Sequence, residues 1–252
     1  MSTPDLPWWS PEALAQRERE VRTAGVAGET DVRNDFASYK AFASSGNAES
    51  SGLDMHNEVE PWRIDTVCGD YATLIRRFRD NAPKTIADLG CGVGFTTDGL
   101  NRVWPSATVI GFEVSVDAVQ FARHRWPSCM FVDGAITANA TLNGAPFDLL
   151  LCQEFYPFTR TGSLAVHRDW LRCLANNMSD DGLAIIMVPA STRDSINDTF
   201  ESLRHEFALR KIQIAAPRVS RRLPFALARL AGRVIGVVKP AWVRNLYLLQ
   251  RQ

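Results

Sequence analysis

Residues 84–94 read Lys-Thr-Ile-Ala-Asp-Leu-Gly-Cys-Gly-Val-Gly and decide the fold class. A short apolar run (Ile86, Ala87, Leu89) carries one acid, Asp88, and breaks into glycines at alternate positions: Gly90, Gly92 and Gly94. Phe95-Thr96-Thr97 then opens a stretch with helical spacing. This is the pattern of a buried parallel strand, a glycine turn and a helix N-terminus, through which backbone approaches a nucleotide-like ligand closely. Glycine suits such a turn because a Cβ would hold the ligand away or forbid a positive φ.

The spacing narrows the ligand. A dinucleotide fingerprint, Gly-x-Gly-x-x-Gly, would place its third glycine at position 95, which is Phe95. The acid at Asp88 would repel a pyrophosphate but suits a ligand carrying an ammonium group. The next strand reads Ala107-Thr108-Val109-Ile110-Gly111-Phe112 and ends in Glu113, 19 positions past Gly94. An acid about 20 residues beyond the glycines is where ribose hydroxyls are gripped. Ser115 is placed to cap a helix running to about Arg125.

Over roughly residues 60–190 the chain resembles the class I S-adenosylmethionine-dependent methyltransferases, on the strength of Asp88-Leu89-Gly90-Cys91-Gly92-Val93-Gly94 and Glu113. The resemblance implies an α/β, Rossmann-like, seven-stranded and mostly parallel sheet, with helices on both faces and the last strand antiparallel. It implies S-adenosyl-L-methionine as cofactor, held by Asp88, Gly90, Cys91, Gly92, Gly94, Glu113 and Val114. In the family an acid after the third strand holds the adenine amino group. Asp133-Gly134 departs from the usual order by one residue, and backbone and apolar contacts are the alternative.

The rest of the chain follows the same plan. Strands are expected near 128–132, 147–152, 183–188, 208–215 and 245–250, and helices over 61–80, 163–178, 193–206 and 224–237. Asp180-Asp181-Gly182 reads as a turn. Residues 1–56 read as an N-terminal helical cap, closed by the small polar hinge 44–54, and residues 57–252 as the methyltransferase domain. The end of the fourth strand should face the transferred methyl group, so Gln153 is assigned to the cofactor and Glu154 to catalysis. Tyr156 and Arg160 are assigned to the acceptor, with His56 entering from the hinge. His167 is the second candidate base, and Tyr39 and Trp62 are candidate aromatic covers.

Composition excludes several classes. No run reaches the roughly 18 apolar residues of a membrane span, and the N-terminus lacks the pattern of a signal peptide. The five cysteines are scattered without metal or disulfide spacing, which points to a reducing, cytoplasmic setting. A net charge of zero conceals a split: all 28 acids lie before residue 207, and the 46 residues from Phe207 hold ten Lys and Arg and no acid. Such a segment suggests an anionic partner, including peripheral contact with a membrane. The expected acceptor is a small molecule or a glycan, taking the methyl group on oxygen or nitrogen. The alternatives are an RNA methyltransferase using the basic segment and a non-catalytic cofactor-binding module; a nucleic-acid partner is disfavoured because no base-reading motif follows the fourth strand. No metal is implied.

Overall fold

The computed structural model describes residues 61–134, 136–159, 162–189 and 194–251. The cap over residues 1–56, with Tyr39 and His56, and the acceptor candidate Arg160 lie outside the described residues. The chain enters through helix α1 (Trp62–Ile75), followed by strand β1 (Thr85–Leu89), α2 (Phe95–Val103), β2 (Thr108–Glu113), α3 (Val116–Arg125) and β3 (Met130–Asp133). Strand β4 (Phe147–Gln153), the short α4 (Tyr156–Thr159), α5 (Leu164–Asn177), β5 (Met178–Pro189) and α6 (Asp194–Leu203) come next. The last part comprises β6 (Arg210–Ala215), the short α7 (Pro217–Ser220), α8 (Phe225–Val238) and β7 (Val243–Gln250).

The seven strands form one sheet in the order β3-β2-β1-β4-β5-β7-β6. Strands β1 to β5 run parallel, and β7 lies antiparallel between β5 and β6. The expected fold class is therefore observed. Burial on both faces explains why the central strands read as continuous apolar runs. With a period of two, Ala87, Leu89, Phe112, Leu150 and Ile186 pack beneath Trp170, Leu171 and Leu174 of α5. Ile86, Val109, Leu149, Leu151 and Ile185 face the other way, onto Ile64, Cys68, Tyr71 and Leu74 of α1.

Two boundaries differ from the sequence reading. Helix α1 stops at Ile75 rather than near Asp80, because the amides of Arg77 and Phe78 turn to the carbonyls three residues back. The released loop drops Arg79 under the sheet, where its guanidinium bonds the carbonyl oxygens of Asp148 (2.9 Å) and Asp181 (2.6 Å) and pairs with both carboxylates. The Asp180-Asp181-Gly182 turn lies within β5, which begins at Met178. Met178 is opposite Phe147 and Leu183 opposite Leu149, so the intervening residues bulge out of the ladder.

Candidate functional site

Strand order reverses between β1 and β4, since β1 is followed outward by β2 on one side and β4 on the other. Ligands of open α/β sheets sit outside the carboxyl ends of the strands at such a switch point. Leu89, Glu113, Asp133 and Gln153 end their strands on this edge, and Asp88 lies one residue inside it, opposite Gly111 and Leu151. The sequence therefore places its candidate acids on one rim.

The glycine turn is built as its composition predicts. Gly90, Gly92 and Gly94 have φ of 72°, 54° and 87°, all in the left-handed region. At Gly90 a Cβ would stand 2.9 Å from the Phe155 ring, so the turns after β1 and β4 meet there. The amides of Gly90 and Cys91 bond the Phe112 carbonyl, and the Trp126 indole bonds the Val93 carbonyl at 3.0 Å.

Glu113 holds the turn from the other side. Its Oε2 accepts the Gly92 amide at 2.9 Å, and its Oε1 accepts those of Val114 (2.8 Å) and Ser115 (2.9 Å). Burial raises its pKa above the usual carboxylate range, and the three amides work against that rise. Ser115 caps α3 as expected, accepting the Ala118 amide.

Asp88 is almost fully buried, and its Oδ2 accepts a 2.7 Å bond from the Thr97 hydroxyl on α2. Burial pushes its pKa up to about 7; Thr97 opposes the rise and the negative charge of Glu113 adds to it. A raised carboxyl pKa makes stability fall with increasing pH: above the ordinary value the unfolded chain gives up the proton, while the fold retains it until about pH 7. The slope over that window reaches at most about 1.4 kcal/mol per pH unit. Asp88→Asn keeps an acceptor for Thr97 and should flatten this decline. Urea unfolding of both proteins at about pH 5 and about pH 7 checks it, and an identical pH dependence in the variant would refute the assignment.

Other candidates divide. Gln153 is half-buried, and its Oε1 accepts a 3.0 Å bond from the Tyr71 hydroxyl of α1. Glu154 is exposed and follows β4 with φ of 54°, rare for a side-chain-bearing residue; its amide bonds the Met187 carbonyl and its carbonyl accepts from Thr159. Tyr156 opens α4 half-buried, and Trp62 opens α1 with its ring under the Arg221 guanidinium at 4.0 Å. Asp133 is exposed and bonded to Arg123 at 2.7 Å, while the Gly134 amide bonds the Glu113 carbonyl. His167 corrects an expectation: it has no exposed surface, and its ring packs 5.5 Å from Phe158 and 5.0 Å from Phe200. A ring so enclosed packs as part of the core. Thr97 and Tyr71 were missed by the sequence reading. Thr97 had a usable signal, a hydroxyl one helical turn inside a helix that starts at the glycine turn; Tyr71 had none. Among the described residues no group of three or more His, Cys, Asp or Glu is arranged to hold a metal.

Residues 86–177, from β1 to the end of α5, match the family model of the methyltransferase domain. That stretch of the chain is similar to a methyltransferase domain. Among curated relatives, the trans-aconitate 2-methyltransferase of Rhodopseudomonas palustris (strain HaA2) is 27% identical over 130 residues, 52% of this chain and 46% of that protein. The enzyme of the same name from Methylobacterium nodulans is 29% identical over 150 residues, 58% of this chain and 55% of that protein. The chain thus spans about half the length of the curated relatives it matches. Among solved structures, the plantazolicin methyltransferase BpumL, in complex with a monoazolic desmethylPZN analog and SAH, superposes with a TM-score of 0.58 at 14% identity, covering 94% of this chain and 100% of that one. A TehB-like S-adenosylmethionine-dependent methyltransferase from Corynebacterium glutamicum gives 0.50 at 18% identity, covering 78% and 97%. These structural likenesses establish the methyltransferase fold.

Proposed function

We propose that the protein moves a methyl group from S-adenosyl-L-methionine to an oxygen or nitrogen of a small-molecule or saccharide acceptor. The observation that carries this reading is the convergence of the three left-handed glycines, buried Asp88 and Glu113 at the switch point of the sheet. The residues fit the cofactor: Gly90 and Gly94 let the turn close against Phe155, Phe131 and Trp126, where a Cβ would clash, and two buried carboxyl groups suit hydroxyl and ammonium donors better than a pyrophosphate. Glu113 is assigned to the ribose hydroxyls, Asp88, Gly90, Cys91 and Gly92 to the amino-acid end, and Gln153, steadied by Tyr71, to the cofactor edge facing β4. Val114, Asp133 and Gly134 line the adenine side.

When bound, S-adenosyl-L-methionine supplies an electrophilic methyl group on a positively charged sulfur. The protein's task is to align the acceptor and exclude water, and alignment alone is worth roughly 7–11 kcal/mol of barrier. Glu154 is the remaining candidate to receive a proton from a hydroxyl acceptor; a neutral amine needs no base. Tyr156 is assigned to the acceptor pocket. The relatives named for trans-aconitate make small carboxylic acids the first acceptor class to test, ahead of saccharides.

Calorimetric titration with S-adenosylmethionine, S-adenosylhomocysteine and NAD(H) tests the reading. Micromolar binding of the first two and none of the third is expected, followed by transfer of labelled methyl to one member of an acceptor panel. Binding of NAD(H) alone would overturn the assignment of the glycine turn.

A further inference from the structure

Helix α8 is amphipathic in the wrong direction for a helix that only packs on its domain. It lies close on β6 through small residues: Ala228 and Gly232 are buried, and a Cβ on Gly232 would meet the Ala215 amide at 2.8 Å. Its larger aliphatic residues face outward. Leu227, Leu230, Val234, Val237 and Val238 are 50–85% exposed, and Trp242, just past the helix, is half exposed. Their spacing of three, four, three and one residues keeps them on one stripe of the helix. A contiguous apolar surface of this kind marks an interaction site.

Cations border the stripe. Arg233 and Lys239 are exposed, Arg229 is half-buried, and the Lys239 ammonium sits 4.7 Å from the Trp242 ring. Arg77, from the end of α1, lies over Phe225 at 5.0 Å. Among the described residues no carboxylate pairs with Arg77, Arg229 or Arg233, and Arg77 and Arg233 raise the cost of charging Arg229, after its own burial. The 46 residues from Phe207 contain no acid.

We infer that the outer face of α8, with Trp242, docks on an anionic lipid bilayer. Aliphatic side chains flanked by Lys and Arg are the composition of a helix that lies in a membrane interface, and tryptophan and snorkelling lysine belong at that depth. No helix among the described residues is long and apolar enough to cross a membrane, so the contact is peripheral. A second copy fits less well, because a two-fold contact would set these unpaired cations against their own equivalents. Nucleic acid fits less well, because the centre of the surface is aliphatic and the Trp242 ring stands at its end rather than in a row of stacking platforms.

Co-sedimentation of the full chain with phosphatidylcholine vesicles, with and without phosphatidylglycerol, tests the inference. Binding is expected to the anionic vesicles only and should weaken with added salt. Arg229→Ala/Arg233→Ala should lower vesicle affinity by about thirtyfold, at roughly fivefold per cation. Val234→Asp/Val237→Asp should lower it by at least about tenfold. Both variants should keep the parental melting temperature and cofactor affinity, which separates this inference from the catalytic reading. Equal partition to both vesicles, or to neither, would overturn it. So would loss of binding in the charge variant alone, which is the behaviour of a polyanion site, or an apolar variant that only abolishes self-association.

Discussion

Gly92→Val should weaken S-adenosylmethionine binding by at least about hundredfold while the protein still folds. Gly92 sits at φ 54°, donates its amide to Glu113, and is the middle glycine of the turn after β1. A side chain in the left-handed region costs roughly 1–2 kcal/mol, and a β-branched one more. The fold can absorb that from a typical stability of about 5–15 kcal/mol. On the proposed site the cofactor cannot, because valine methyl groups would crowd the backbone it is assigned to approach. Each 1.4 kcal/mol is about a tenfold change in affinity, so a steric penalty near 3 kcal/mol against the cofactor gives the stated loss. Circular dichroism establishes folding and calorimetry the affinity. A folded variant with parental affinity would mean that the cofactor does not use this turn.

Glu113→Ala should cost both stability and binding. The carboxylate accepts three backbone amides from two different loops. A buried donor left without a partner costs about 1–3 kcal/mol; water entering the vacated space limits the total to about 2–4 kcal/mol, measurable as a shift in the urea midpoint. Affinity should fall further than stability predicts, because the ribose partner leaves with the carboxylate. A 2′,3′-dideoxy cofactor analogue separates the two effects. The parent should bind it much more weakly than the natural cofactor, whereas Glu113→Gln, which keeps the shape, should discriminate little. Parental protein that binds both equally would remove Glu113 from the ribose contact.

The site was legible where chemistry is local in sequence. Three glycines, an acid two positions before them and another 19 positions after them fix where two strands end and what gathers there. The apolar runs of β1 and β2 marked them as buried parallel strands for a similar reason: one strand, covered on both faces, states its own environment. What was not legible depends on partners far along the chain. Tyr71 meets Gln153 across 82 positions. Asp70 of α1 bonds the Arg244 guanidinium of β7 across 174 positions, with Ser220 of α7 joining them. No local spacing announces either pair. His167 misled because its type suggests proton transfer, while its setting beside Phe158 and Phe200 is decided by how α5 packs against α6. Helix α8 was ambiguous for a related reason. Leucine and valine usually mark a packed face, yet here Ala228 and Gly232 allow the closer approach to β6.

The placement of β7 bears on how the chain assembles as it leaves the ribosome. Synthesis delivers β6 before β7, but among the described residues the strand that pairs with β6 is β7. Strands β1 to β5 can therefore join as they emerge, whereas β6 must wait with its edge unsatisfied until β7 inserts beside β5. The interval between the emergence of Arg210 and that of Gln250 is accordingly the one in which a nascent chain offers the facing edges of β5 and β6 unpaired, and in which a chaperone has most to protect.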